Sequence, residues 1–252
     1  MFKGFYNLTS GMLTQGKHLD VIANNMSNTA TVGFKTDRYT FSTFEEVMWN
    51  RVGNADRKYT ELGNQSWITA PSKLYTDYSQ GAIEETGQPL DFAIEGDGFF
   101  ALETADGERV YTRNGNFSLD NEGYLWLSGF GRVLNSEGES IRLVTDRING
   151  DSTGNLYTEN GGYLGTIGVF VFPDNGELVK NDYGFFVSEN EGAAAQPADF
   201  TLHQKWVERA NIDLVQQMTG MITAERAYQS AAEVTKIYDE LMTKATTEVG
   251  RL

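Results

Sequence analysis

The sequence has no cysteine, no apolar run long enough for a membrane span, and no excess of basic charge. Without cysteine, disulfides, thiolate metal sites and cysteine nucleophiles are excluded. A membrane-spanning helix needs roughly 20 consecutive apolar residues, so we expect a soluble protein that is not inserted in a membrane. The N-terminus also lacks the apolar segment and cleavage site of a signal peptide, and we expect no cleaved leader.

The net charge of −15 is concentrated in the middle of the chain. Residues 71–202 contain seven Lys and Arg against 22 Asp and Glu, whereas the segments on either side are close to neutral. A nucleic-acid backbone calls for a basic patch, so the charge argues against nucleic acid as a partner. Self-repulsion favours a solvated middle segment, while neutral ends are able to crowd against copies of themselves.

Hydrophobic spacing predicts a helix from about Phe2 to Met26. Its apolar residues follow at alternating steps of three and four, which is a heptad seam with one polar member. The seam consists of Phe5, Leu8, Met12, Gln15, Leu19, Ile22 and Met26. Such a helix is marginal alone in water and needs a partner helix.

A second helix is predicted from about Leu202 to Glu248, where Gly220 is the only interior glycine. Its apolar residues again recur at helical spacing. They are Leu214, Met218, Met221, Tyr228, Ala231, Val234, Tyr238, Leu241 and Ala245. The simplest arrangement of the two helices buries the two apolar stripes against each other.

Between the helices, from Gln80 to about Phe200, short apolar runs alternate with turn dipeptides, which supply the positive φ angles of tight hairpins. The predicted strands are Leu90–Ile94, Phe99–Leu102, Val110–Thr112, Phe117–Leu119, Tyr124–Leu127, Ile141–Val144, Ile167–Phe172 and Phe185–Val187. The turn dipeptides are Asp97-Gly98, Asp106-Gly107, Asn114-Gly115, Asn149-Gly150, Asn160-Gly161 and Asn175-Gly176. This pattern indicates an antiparallel sandwich or irregular barrel, and Gly192–Pro197 is predicted to be a linker leaving it.

The segment from Thr36 to about Tyr78 has a mixed pattern. Thr40–Met48 is compatible with a short capped helix, and the dipeptides at 53–54 and 63–64 are expected to break the rest into loops and short strands. The predicted fold class is α+β, with long terminal helices packed as a coiled-coil-like axial domain and an inserted antiparallel all-β domain. We assign residues 1–78 to the first helix and its connector, 79–201 to the β domain and 202–252 to the last helix.

No arrangement of residues in the sequence predicts catalysis, a metal or a cofactor. His18 and His203 are both expected in polar helical surroundings, where a surface role is more common than a metal or catalytic role. The acidic segments at 120–123 and 146–151 lack the spacing of an EF-hand and are better explained as turns. Paired carboxylates among Asp91, Glu95 and Asp97 leave one alternative open, a carbohydrate-active or cell-wall-binding β protein.

Three stretches closely resemble the signatures of bacterial flagellar rod and hook proteins. Residues 20–35 (DVIANNMSNTATVGFK) resemble the N-terminal signature, and residues 86–100 with 111–117 (TGQPLDFAIEGDGFF, YTRNGNF) resemble the start of the β domain. Residues 210–215 and 218–228 (ANIDLV, MTGMITAERAY) resemble the C-terminal helix signature. The three stretches occur in the family's order and span nearly the full chain.

The resemblance implies a structural subunit of the rod that is not an enzyme and binds no cofactor. Its expected partners are copies of itself, other rod and hook proteins, the flagellar type III export apparatus and the surrounding ring proteins. The rod crosses the periplasm, and members leave the cell without a cleaved signal. The chain departs from the family where rod members carry a Gln-Gly dipeptide, because Lys205 follows Gln204 and Trp206 is added. The segment 45–79 is also short, so a proximal and a distal rod position both remain open.

The resemblance also assigns a role to the end of the first helix. The side-chain amides of Asn24, Asn25 and Asn28 are expected to satisfy backbone groups there, and Gly33 to permit the turn toward the β domain. Phe34 is expected to pin the turn by packing against a neighbouring helix, in the same subunit or the next. The residues expected to contact other subunits are Phe5, Leu8, Met12, Leu19, Ile22, Asn24, Asn25, Met26, Asn28, Gly33, Phe34, Asn211, Leu214, Met218, Met221, Tyr228, Val234, Tyr238 and Leu241.

Overall fold

A computed structural model describes residues 2–52, 59–143, 145–173, 178–181, 183–188, 193–194 and 199–249. The chain divides into two compact units. The first, which we call the helical unit, comprises Met1–Ser27, Asp37–Asp77 and Asp213–Leu252. The second, which we call the β unit, comprises Asn28–Thr36 and Tyr78–Ile212. The α+β class and the antiparallel β domain are confirmed.

The helical unit contains helices α1 (Phe2–Ser27) and α2 (Leu214–Val249) and strands β1 (Asp37–Val52) and β2 (Tyr59–Thr76). The prediction of α1 is therefore confirmed to within one residue. The helices are antiparallel, because Asn25 contacts Gln217 at one end and Met12 contacts Thr235 further along. Neither helix in the described ranges is long and apolar enough to cross a membrane.

The prediction that the last helix begins near Leu202 is wrong. Phe200–Gln204 and Trp206–Glu208 are strands of the β unit, and α2 begins only at Leu214. Asp213 sets this start, since its Oδ1 accepts the backbone N–H groups of Val215 (2.9 Å) and Gln216 (3.1 Å). A side-chain oxygen in this position satisfies N–H groups that have no partner within the helix.

The connector between α1 and the β unit is a long antiparallel hairpin. β1 pairs with β2 from Asp37↔Thr76 to Val52↔Tyr59. The predicted short helix at 40–48 is therefore wrong, and the expected break at 63–64 lies inside the continuous strand β2; residues 53–54 fall outside the described residues. A two-stranded hairpin is marginally stable alone, and α1 supports this one, since His18 packs edge-on against Phe41 with ring centroids 5.5 Å apart.

The β unit consists of short antiparallel strands. They are β3 (Ile83–Glu85), β4 (Phe92–Gly96), β5 (Phe99–Thr104), β6 (Arg109–Thr112), β7 (Ser118–Leu119), β8 (Leu125–Leu127), β9 (Gly131–Val133), β10 (Ile148–Gly150), β11 (Asn155–Thr158), β12 (Tyr163–Thr166), β13 (Val169–Val171), β14 (Val179–Lys180), β15 (Phe186–Val187), β16 (Ala193–Ala194), β17 (Phe200–Gln204) and β18 (Trp206–Glu208). The largest sheet has the order β14-β15-β6-β5-β9-β8-β7, and β13 pairs with β5. Its core is built from alternate apolar side chains such as Phe100, Leu102 and Leu125, all fully buried.

Several local predictions in the β unit need correction. Ala193–Ala194 pair with β13, so that part of the predicted linker is a strand. Gly150 ends strand β10 and does not form a turn. Gly115 has no positive φ; glycine is needed there because a Cβ would overlap the carbonyl of Phe92. The turns with Gly98, Gly107 and Gly161 are confirmed by positive φ angles, whereas Val144 and residues 175–176 lie outside the described residues.

The last two strands return to the beginning of the β unit. β17 pairs with β4 from Phe200↔Gly96 to Gln204↔Phe92, and β18 pairs with β3 from Trp206↔Glu85 to Glu208↔Ile83. The first and last strands of the unit are therefore neighbours. This topology places Glu208 beside the segment through which the chain enters the unit.

Candidate functional site

The end of α1 is held by a buried asparagine. Asn25, which is 1% exposed, donates its Nδ2–H to the carbonyl of Asp37 (2.8 Å) and accepts the backbone N–H of Asp37 at Oδ1 (3.1 Å). The side-chain amide of Asn25 thus pairs with both the carbonyl and the N–H of Asp37, as a backbone partner would. Ser27 Oγ donates to the carbonyl of Asn24 (2.9 Å) in the last turn.

The loop that follows α1 requires glycine at position 33. Gly33 has φ of +69°, and a Cβ there would overlap the backbone of Arg113 and Asn114. Its N–H donates to the carbonyl of Glu208 at 2.7 Å. The conformational freedom of glycine and the close approach of backbone therefore coincide at one residue.

Phe34 is buried within the β unit, where the Lys180 ammonium lies 3.8 Å from the centre of its ring. Its packing against a helix, in this subunit or the next, stays a prediction. Lys180 Nζ also donates to the carbonyl of Lys35 at 2.8 Å. This cation–π contact and hydrogen bond fix the loop to the β unit, and with 8% of its surface exposed, Phe34 has little area left for a second subunit.

A buried ionic network lies beneath this loop. The carboxylate of Glu208 accepts a hydrogen bond from the Lys35 ammonium at Oε1 (2.6 Å) and one from the Arg113 guanidinium at Oε2 (3.3 Å). Lys35 and Glu208 are each 1% exposed and Arg113 is 4% exposed. Lys35 Nζ also donates to the carbonyl of Ser79 (2.7 Å), and the N–H of Gly81 donates to Glu208 Oε1 (2.8 Å). We call Lys35, Arg113 and Glu208 the ionic triad.

The guanidinium of Arg113 holds a further pair of strands. It donates to the carbonyls of Gly96 (2.8 Å) and Ile94 (3.4 Å) and lies over the ring of Phe99 at 5.2 Å. Burial lowers the pKa of Arg113, and the negative charge of Glu208 opposes this effect. Burying a charge is costly unless it is paired and hydrogen-bonded, so each member of the triad depends on the others.

Asn211 joins the segments by which the chain enters and leaves the β unit. Its Oδ1 accepts both the backbone N–H and the hydroxyl of Thr36 at 2.8 Å. Its Nδ2 donates to the carbonyl of Ser79 at 3.0 Å. The ionic triad and Asn211 together bind the incoming segment 33–36 to the outgoing segment 208–211. We call this set of contacts the junction.

Gly33 was predicted from the sequence as the site of the turn and Asn211 only as a residue that contacts other subunits, whereas the ionic triad was missed. The overlooked signal was one charged residue in or beside each of the three signature stretches. Lys35 ends the first, Arg113 lies in the second, and Glu208 precedes the third by two residues. Only the fold shows that these isolated charges converge.

The predicted residues of α1 form the inward face of that helix. Ile22 is buried, and Leu8, Met12, Leu19 and Met26 are partly buried. Phe5, near the N-terminus, is 40% exposed. The seam predicted from heptad spacing is therefore the face that packs within the helical unit.

The apolar stripe of α2 is mostly not buried, so the prediction that the two stripes cover each other is wrong. Ala231 and Tyr238 are partly buried, and Ala224, which is not part of the predicted stripe, is buried. The exposed members are Leu214, Met218, Met221, Tyr228, Val234, Leu241 and Ala245. Small residues make the contact with α1 instead, since a Cβ added to Gly220 would be only 3.5 Å from Ile22 Cδ1. Small side chains let the helix axes approach closely and leave the large side chains outside.

A groove of about 760 Å³ lies beside this contact, on the helical unit. It is lined by Gln15, His18, Phe41, Asp213, Val215, Gln216, Thr219, Gly220, Thr223, Ala224 and Ala227. Burial lowers the pKa of His18, which favours the neutral imidazole at neutral pH. The groove offers mostly small and uncharged side chains, and its titratable lining residues are His18 and Asp213.

Two of the three candidate carboxylates, Asp91 and Glu95, are engaged in structural bonds. Asp91 is buried and accepts Thr86 Oγ1 (2.5 Å) and Asn116 Nδ2 (2.8 Å). Glu95 pairs with His203 at 2.7 Å, and His203 lies on strand β17, not on a helix as predicted. In the part of the chain that the structure describes, no group of three His, Asp or Glu side chains could hold a metal ion.

Comparison with known proteins extends over the whole chain. Residues 93–224 match the family described as flagellar hook protein FlgE/F/G D1 domain, residues 203–248 the flagellar basal body rod FlgEFG protein C-terminal, and residues 5–35 the flagella basal body rod protein. The flagellar basal-body rod protein FlgG of Bacillus subtilis is 34% identical over 96% of this chain and 97% of its own length. FlgF of Mesorhizobium japonicum is 30% identical (92% and 91%), and the hook-basal body complex protein FlhO of B. subtilis is 27% identical over both full lengths.

Proposed function

Because the chain belongs to the family of flagellar basal-body rod and hook proteins, we propose that it assembles through its terminal helices into the axial tube of the rod. It is a structural subunit of the flagellar basal body and not an enzyme. In this proposal α1 and α2 form the axial domain, packed in coiled-coil fashion, and the β unit forms a separate domain.

The observation that supports this proposal is the exposure of large apolar side chains on α2. Leu214, Met218, Ile222, Val234 and Leu241 are between 39% and 60% exposed. Exposed apolar area that a monomer leaves uncovered marks an interaction surface. A long helix with such residues along its length suits repeated contacts with neighbouring subunits.

Two polar replacements on this surface test the proposal. Met218→Gln combined with Met221→Gln keeps side-chain length and helix propensity, so α2 is expected to form normally. A strain that carries only this variant is expected to lose motility and to yield basal bodies without a complete rod. Glu233→Gln with Lys236→Gln, two exposed polar residues of the same helix, is the matched control. Normal rods with the methionine variant would contradict the proposal.

The remaining partners follow from the same proposal. The subunit passes through the flagellar type III export apparatus without a cleaved signal, and it reaches a periplasmic position inside the ring proteins. The acidic excess of residues 71–202 supports a solvated position for the β unit in the assembly. Export is tested by following the protein into the periplasm in strains with and without a functional apparatus. Export that continues without the apparatus would exclude this route.

A further inference from the structure

Two different surfaces lie on the N-terminal half of α2. The first, which we call the ridge, presents large apolar side chains that are 36% to 51% exposed. The ridge consists of Leu214, Met218, Met221, Ile222 and Tyr228. The second is the groove already described, whose α2 side is formed by residues such as Thr219, Thr223 and Ala227.

The ridge and the groove face away from each other. An α-helix turns by about 100° per residue, so the ridge residues centre on one side of α2 and Gln216, Thr219, Thr223 and Ala227 centre roughly 180° away. The two surfaces therefore cannot contact each other within one subunit. They are available to two different neighbours.

The surfaces are complementary in size and polarity. The ridge carries long, flexible methionines together with leucine and tyrosine, while the groove has a floor of Thr, Gly and Ala beside the Phe41 ring. Ridges of large side chains pack into grooves between small ones on a facing helix. Glu225 is the acidic residue on the ridge face, and the groove offers Gln15 and His18 as polar partners.

We propose that the ridge of one copy of this chain occupies the groove of the next copy. This inference rests on the proposed function, because it specifies the subunit contact through which the rod assembles. A contact between two different surfaces is heterologous, and when its rotation does not close a ring it produces an open helical filament. A ridge that paired with itself would instead close a two-fold dimer and stop growth. Helix α2 thereby contributes to both halves of a repeating contact.

Disulfide crosslinking tests this contact directly, because the native chain has no cysteine. Met218→Cys lies on the ridge and Thr223→Cys on the α2 side of the groove. The double variant is expected to give a ladder of covalent multimers on mild oxidation. An equal mixture of the two single variants is expected to give covalent dimers and nothing larger, and each single variant alone to remain monomeric. Glu137→Cys with Thr223→Cys, which places one thiol on an exposed turn of the β unit, measures crosslinking by random collision.

The outcomes separate this inference from the proposed function. Efficient dimers of Met218→Cys alone would show that the ridge pairs with itself and would overturn the inference. Assembly detected by sedimentation without a ladder above the collision control would overturn the ridge-to-groove contact while leaving helix-mediated assembly intact. As an independent check, Ala227→Trp fills the groove and is expected to raise the protein concentration required for assembly at least tenfold. Unchanged circular dichroism would show that this variant still folds, and unchanged assembly would contradict the inference.

Discussion

Lys205 occupies a backbone conformation that favours glycine. Its φ of 69° is the only positive value among the described non-glycine residues. The left-handed conformation costs an L-residue about 1 kcal/mol or more. The family resemblance implies a Gln-Gly dipeptide at Gln204 and Lys205, so the residue that departs from that pattern stands where glycine is physically preferred. The turn still forms because the Lys205 N–H donates to Asp91 (2.7 Å) and its carbonyl accepts the Thr86 N–H (2.8 Å).

Replacing Lys205 by glycine is therefore expected to stabilise the β unit. The relief of backbone strain exceeds the greater flexibility that glycine adds to the unfolded chain, and we expect a net gain of about 0.5–1 kcal/mol. Urea unfolding followed by tryptophan fluorescence measures the change. Lys205→Ala removes the same side chain but keeps the strain, so it is the control and is expected to give no gain. Equal stability of the two variants would contradict the explanation.

His18 links the stability of the helical unit to pH. Burial lowers the pKa of His18 below its ordinary value of 6.5. As the pH falls below about 6.5, the unfolded chain therefore binds a proton at His18 more readily than the folded chain does. Stability is therefore fully present above about pH 6.5 and decreases as pH falls. His18→Gln, with Phe41 and Asp213 of the same groove unchanged, is expected to flatten thermal unfolding midpoints between pH 7.5 and 5. A wild-type slope that persists in His18→Gln would assign the effect to other groups.

At the scale of elements, the accuracy of sequence-based prediction depended on whether local pattern decides the structure. Helix α1 was predicted closely because its apolar residues recur at helical spacing and all lie on the one face that packs inward. The hairpin β1–β2 was missed because Thr40–Met48 satisfies a helical pattern locally, and only pairing with residues up to 39 positions away selects the strand. The contact face of α2 was missed because a large apolar side chain was taken as the signal for burial, whereas Gly220 makes the close approach to Ile22 and the small Ala224 is buried.

This packing predicts opposite effects for two substitutions at Gly220. An alanine Cβ would meet Ile22 Cδ1 at an ordinary contact distance of 3.5 Å, and alanine favours a helix by about 1 kcal/mol over glycine. Gly220→Ala is expected to raise the unfolding midpoint measured by far-ultraviolet circular dichroism. Gly220→Leu is expected to lower it, because the larger side chain would force the helices apart. Gly11→Ala, with open space around it, isolates the propensity effect. A stabilising Gly220→Leu would exclude close helix contact at this position.

At the scale of the whole molecule, the three signature stretches meet at the junction. The two terminal helices, the antiparallel β domain between them and the turn at Gly33 could be predicted from the sequence. The ionic triad could not, because Lys35 and Glu208 lie 173 positions apart and nothing local to either residue indicates burial. Their contact depends on β17 and β18 returning to the first strands of the β unit.

The junction predicts strong coupling among the three charges. Glu208→Gln leaves two buried cations without their anion, and breaking such a network is expected to cost about 3–5 kcal/mol. Lys35→Met in the same chain removes one of those cations, so the double variant is expected to lose clearly less stability than the sum of the two single variants. Arg132→Gln, which breaks ion pairs with the partly buried Asp120 and the exposed Glu122, is the control and is expected to cost only about 1 kcal/mol. Urea unfolding of the four proteins gives the coupling energy. Additive losses would mean that the triad does not act as a unit, and that Gly33 and Asn211 alone hold the entering and leaving segments together.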